Sequence, residues 1–252
     1  MVMRQKKNEP IIIPMEFKVA CSLYKMDVAE VLQVFIDHVK VYDIFNKTYH
    51  EGFSEACHCL IFCYRKKKKS RILSTGMRKC RELFLRNMGQ IELLANMKRR
   101  GWKTTTKRSY TRCFVENIFN AMERLHAPSD IIYLDEYSTL KLSKDFCMLC
   151  EVYDCYPKEF LEYFMGYISV ADADVGYGLK GYSNFVHTFF LKIANGLGRN
   201  PHIRIELTDW EIDFYDRLEE LRLEVYIIRD IQRKVETLRD FYRTHYQTMN
   251  PN

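Results

Sequence analysis

The sequence predicts an all-α protein built from two tandem helical repeats, about 129 residues apart, and closed by a long C-terminal helix. Three observations carry that expectation. The segment from Ile11 to Lys66 returns without a gap at Leu140 to Asn195. At this shift Phe17, Cys21, Tyr24, Glu30, Leu32, Phe35, Val41, Asp43, Gly52, Ser54 and His58 reappear as Phe146, Cys150, Tyr153, Glu159, Leu161, Phe164, Val170, Asp172, Gly181, Ser183 and His187. Those eleven identities in 56 aligned positions exceed chance, and conservative pairs such as Val39 with Ile168 copy the apolar pattern where identity is lost. Ten glycines and six prolines in 252 residues are too few for an all-β chain, which needs a turn signal roughly every 8 to 12 residues. A hydrophobic content of 47%, with 14% aromatic residues, is enough to bury one large core or two smaller ones.

The elements follow in order. Ile11 to Ile13 lead to Pro14, which suits a first helical turn, and a short helix runs through Phe17, Cys21 and Tyr24. Asp27 and Glu30 have capping-box spacing for the next helix, whose apolar stripe is Val28, Val31, Leu32, Phe35, Ile36 and Val39. In the second copy Pro157 takes the opening position and Phe160, Leu161, Phe164, Met165 and Ile168 make the same stripe. A third helix follows Gly52 or Gly181, with Ser54 or Ser183 near its start. Residues 71–100 predict a long basic helix ending near Gly101, and residues 107–126 another, with Phe114, Ile118, Phe119, Met122 and Leu125. Pro128 and its polar neighbours mark 128–139 as a linker between a basic repeat, 1–127, and an acidic repeat, 140–252. Thr208 and Glu211 open the C-terminal segment, where Trp210, Phe214, Leu218, Leu221, Val225, Ile228, Ile231, Val235, Leu238 and Tyr242 predict one long helix or two collinear ones.

Composition excludes several classes. Met1 to Glu9 is polar and basic, unlike a signal peptide, and the longest apolar stretch, near Ala56 to Tyr64, falls far short of a membrane span. Nine cysteines among apolar neighbours fit packed thiols in a reducing cytosol, which predicts a cytoplasmic protein without membrane partners. Residues 1–129 hold 25 Lys/Arg against 12 Asp/Glu, whereas residues 130–252 hold 14 against 21. Such a split suits a basic half that meets a polyanion, or an acidic protein surface docking on it, within this chain or between copies in a homo-oligomer.

Chemistry-bearing patterns are few. Cys57, His58, Cys59 and Cys63 are close in sequence, but helical spacing places only Cys59 and Cys63 on one face, and no second pair completes a four-ligand site. His58 and His187 occupy equivalent places without an accompanying nucleophile, so they read as packing residues. Glu30 with Glu159 and Asp43 with Asp172 read as helix caps or salt-bridge partners. No phosphate-binding, dinucleotide, metalloprotease or nucleophile-elbow motif occurs. The expectation is a chain with no catalytic residues, no metal and no cofactor.

Two basic runs remain. Arg65, Lys66, Lys67, Lys68, Lys69 and Arg71 form the first; Lys98, Arg99, Arg100, Lys103, Lys107, Arg108 and Arg112 form the second, interleaved with Trp102 and Tyr110. Clustered cations bind phosphates, and an exposed aromatic ring offers a stacking surface for an unpaired base. The start of each copy has a short extended segment, Ile11 to Ile13 or Leu140 to Leu142. Pro14 or Ser143, a helix, a tight turn near Met26 or Cys155 and a second helix then follow. This order resembles the ribbon-helix-helix DNA-binding family. The resemblance implies that the two extended segments pair into a ribbon whose outward residues, Lys141 among them, enter the major groove. Taken together these readings predict a non-enzymatic protein that binds DNA or RNA through its basic first half. The alternative is an interaction or scaffold protein that uses the acidic half and the C-terminal helix.

Overall fold

A computed structural model describes residues 11–45, 53–67, 78–97, 101–125, 131–134, 138–153, 155–176, 179, 183–197 and 207–250. Among them the chain is all-α apart from one two-stranded antiparallel sheet. The helices bounded by described residues before the sheet are α1 (Met15–Leu23), α2 (Val28–His38), α3 (Val41–Phe45), α4 (Phe53–Lys67), α5 (Arg81–Asn96) and α6 (Thr104–Leu125). The sheet pairs β1 (Ile131–Tyr133) with β2 (Thr139–Lys141), and Ile132 lies opposite Leu140. Those after it are α7 (Lys144–Tyr153), α8 (Pro157–Gly166), α9 (Val170–Gly176), α10 (Phe185–Ala194), α11 (Asp209–Ile227) and α12 (Ile231–Met249).

Helix starts recur at one interval. The first residues of α1, α2 and α3 lie 129 residues before those of α7, α8 and α9. The helix-ending turn recurs as well: Met26 N–H donates to Cys21 O at 2.8 Å, and Cys155 N–H donates to Cys150 O at 2.9 Å. That six-to-one bond closes the last turn of a helix, and Lys25 supplies the left-handed residue it needs, with φ +50°. Caps explain the starts. Ser143 Oγ accepts from Phe146 N–H, Glu159 Oε2 from Tyr156 N–H, and Asn184 Oδ1 from His187 N–H. Thr208 and Glu211 form the full reciprocal box that their spacing predicts.

The chain divides into two compact units that do not follow the sequence halves. One comprises residues 1–12 and 29–164, the other 13–28 and 165–252. In the first unit α3 packs against α4, α5, α6 and α7, and α6 also packs against α7. Its core holds Val31, Leu32, Phe35, Leu60, Phe84, Ile91, Ile118, Phe146 and Phe160, all essentially without solvent contact. Phe35 and Phe164, equivalent positions of the two copies, stack face to face with centroids 4.2 Å apart and planes at 8°. In the second unit α12 packs against α1, α9 and α11, over a core of Phe17, Val186, Phe190, Ile193, Leu218 and Leu238. The helix α1, first in its own copy, thus packs with α9 of the other copy, while α7 packs with α3.

Three expectations are corrected by this architecture. The 128–139 linker contains β1, because Ile131, Ile132 and Tyr133 are strand-forming residues that pair with the segment before α7. For the same reason Leu140 pairs with Ile132, and no ladder joins Ile11–Ile13 to Leu140–Leu142 among the described residues; Ile11 N–H instead donates to Tyr133 O at 3.3 Å. The single or collinear C-terminal helix is a hairpin. The chain breaks at Ile228–Asp230, where Asp230 caps α12 by accepting from Arg233 N–H, and α12 folds back so that His245 lies 3.8 Å from Phe214, ring centroid to centroid.

Candidate nucleic-acid interface

Arg65, Lys66 and Lys67 form the last turn of α4, and Lys68, Lys69, Arg71, Lys98, Arg99 and Arg100 lie outside the described residues. Past Asn96 the chain turns at Gly101, whose φ of +81° is a backbone state that L side chains rarely adopt, and enters α6. Trp102 and Tyr110 stack at 5.2 Å with planes 24° apart; Tyr110 is 56% exposed and Trp102 half-buried. Lys103 projects into solvent beside them.

Two of the expected phosphate ligands are committed elsewhere. Arg108 grips the carboxylate of Asp43 with two bonds, Nε to Oδ2 at 3.1 Å and Nη2 to Oδ1 at 2.7 Å. The Asp43 side chain is fully buried, and burial raises its pKa even though Arg108 pulls the other way. The guanidinium of Arg108 is the counter-charge of a buried carboxylate and so works inside the fold. Lys107 Nζ donates to Met97 O at 2.8 Å and ties the α5–α6 connection together. The second unit holds a looser pair, with Arg239 Nη2 3.3 Å from Asp172 Oδ2 and the Asp172 side chain 47% exposed. Of the two roles expected for these acids, cap or salt bridge, Asp43 takes a salt bridge to Arg108 and Asp172 one to Arg239.

Residues that sequence reasoning missed lie between α5 and α6. An open groove of about 500 Å³ is lined by Leu83, Arg86, Asn87 and Gln90 from α5 and by Phe114, Asn117, Asn120, Ala121 and Arg124 from α6. Arg86, Gln90, Asn117, Asn120 and Arg124 are exposed. Asn87 is 7% exposed, and its Nδ2 donates to Leu83 O at 2.8 Å. The sequence signal was a set of amides at helical spacing on two neighbouring helices, less conspicuous than a run of lysines.

Other polar patterns resolve into packing. Cys57, Cys59 and Cys63 are buried in α4, and burial raises all three thiols, Cys63 to about 12. Cys57 Sγ donates to Lys40 O at 3.1 Å. Among the described residues no group of three or more His, Cys, Asp or Glu side chains is arranged to hold a metal ion. His187 is buried within α10, where burial lowers its pKa; His58 is half-buried on α4. No described helix is long and apolar enough to cross a membrane. Compared with protein-family models, curated proteins and solved structures, the chain finds no significant match.

Proposed function

We propose that the protein is a non-enzymatic nucleic-acid-binding protein of the cytosol that contacts phosphates through its basic first half. The observation that carries this reading is the surplus of 25 cations over 12 acids in residues 1–129, against the acidic remainder. Exposed Lys103 on the first unit, next to Trp102 of the Trp102–Tyr110 stack, supplies charge and an aromatic face at one place. Cation clusters gain affinity by releasing condensed counterions, so binding falls steeply as salt rises. The test replaces Arg65, Lys66, Lys67, Lys68, Lys69 and Lys103 with glutamine and leaves Arg108 in place. Fluorescence anisotropy with labelled DNA and RNA strands should then show a loss of roughly tenfold or more near 0.1 M salt and a shallower salt dependence. Unchanged affinity and slope reject the reading.

A second reading has its own support. Leu223, Tyr226 and Ile227, at the end of α11, are 72%, 82% and 81% exposed, and Ile231 at the start of α12 is 49% exposed. Clustered apolar exposure of this kind marks protein contact surfaces. A partner or second copy held there would be insensitive to salt, which separates this reading from the first.

A further inference from the structure

The groove between α5 and α6 has a counterpart in the second unit. Leu83, Arg86, Asn87, Gln90, Phe114, Asn117 and Ala121 stand 127 residues before Trp210, Asp213, Phe214, Arg217, Phe241, Thr244 and Thr248, which line the space between α11 and α12. The same construction has taken two forms. In the second unit Phe214 holds the place of Asn87, is 4% exposed, and stacks on Phe241 at 5.4 Å and on His245 at 3.8 Å. About 70 Å³ remains there. In the first unit the amide leaves about 500 Å³ open. Charge changes with volume, since Asp213 stands where the open groove has Arg86. One groove is plugged by rings and carries Asp213 balanced by Arg217; the other is open and carries two arginines and no acid.

We propose that the α5–α6 groove receives an unpaired base of a single-stranded nucleic acid, with Arg86 and Arg124 meeting the phosphates beside it. This rests on the nucleic-acid reading of the first half and names its ligand. The volume is that of a small-ligand site, typically ~300 to 1,000 Å³. Its chemistry fits a base: Asn87, Gln90, Asn117 and Asn120 offer amide donors and acceptors for base edges, while Leu83, Phe114 and Ala121 give an apolar wall. Among the described residues neither Arg86 nor Arg124 forms an ion pair, so both guanidiniums are available to an incoming anion. A continuous duplex keeps its bases stacked and offers only their edges along its own grooves, so it cannot place a whole base in a concave groove between two helices.

The experiment measures affinity for a labelled ten-nucleotide strand, the same strand with abasic sites, and a blunt duplex. The full chain is compared with Gln90→Ala/Asn117→Ala/Asn120→Ala and with Asn87→Phe, which installs the plug of the second groove. The triple variant changes exposed residues alone and so retains the fold; helical circular dichroism verifies both variants. The expected result is that the full chain favours the intact strand over the abasic strand and the duplex by roughly tenfold. The triple variant should lose that preference while keeping weaker, salt-sensitive binding. Equal affinity for all three probes, or a preference that survives the triple substitution, overturns the groove as the base site and leaves phosphate binding standing. Absence of binding to every probe overturns both.

Discussion

At the scale of single residues, the Asp43–Arg108 pair shows how a residue marked for surface work becomes structural. Arg108 lies in a basic run, and nothing in that run distinguishes it from its neighbours. What distinguishes it is Asp43, 65 positions away, whose side chain has no solvent exposure. A buried carboxylate and its guanidinium are costly to separate, because the remaining charge keeps its desolvation penalty. Replacing Asp43 with Ala should therefore cost about 3 kcal/mol in urea-induced unfolding. The double variant Asp43→Leu/Arg108→Met should recover much of that loss. A cost below about 1 kcal/mol would show that the pair is solvated and that Arg108 is available to ligands. The thiols were legible at this scale. Buried Cys57, Cys59 and Cys63 follow from their apolar neighbours, whereas the amide groove did not show, because uncharged polar residues at helical spacing look like an ordinary wet face.

Among the elements, the C-terminal hairpin is where periodicity misled. Apolar residues continue at helical spacing through Ile228 and Ile231, so the pattern alone reads as one rod. Each helix of a hairpin also needs an apolar stripe, and here the two stripes join in register across three non-helical residues, Ile228–Asp230. The signal that separates them is local: Asp230 lies three residues before the N–H of Arg233, which its side chain caps. Asp230→Ala should remove about 1 kcal/mol from the stability of α12. Hydrogen exchange would register it as faster opening in the first turn of that helix. If exchange there is unaffected, the turn is set by the Phe214–His245 and Phe214–Phe241 contacts instead. The missed strand β1 has the opposite cause. Three residues carry too little periodicity to read, and only pairing with β2 makes them a strand.

On the scale of the molecule, the helical class and the interval between equivalent helices were visible in the residues, and the compact units were not. Identity along a chain reports copies; it does not report which copy a helix packs into. Residues 29–125 need α7, which packs on α3 and α6, so a cut at the expected linker divides the first unit. A fragment ending at residue 134 should consequently unfold less cooperatively than the full chain and show lower helicity. Mixing it with residues 138–252 should restore both in circular dichroism. A fragment that melts as sharply alone as in the mixture would mean that α7 is dispensable to the unit. The opposing net charges belong to this scale as well. They map onto sequence halves, and the first unit mixes them by taking α7 and α8 from the acidic part.

The stack of Phe35 on Phe164 brings one position of the pattern against its own counterpart along a single polypeptide. Were those rings carried by separate identical subunits, their contact would dissolve by mass action on dilution, and any substitution would strike both faces at once. Covalent linkage holds them at an effective concentration on the order of millimolar, whatever the abundance of the protein. It also lets either ring change while the other stays.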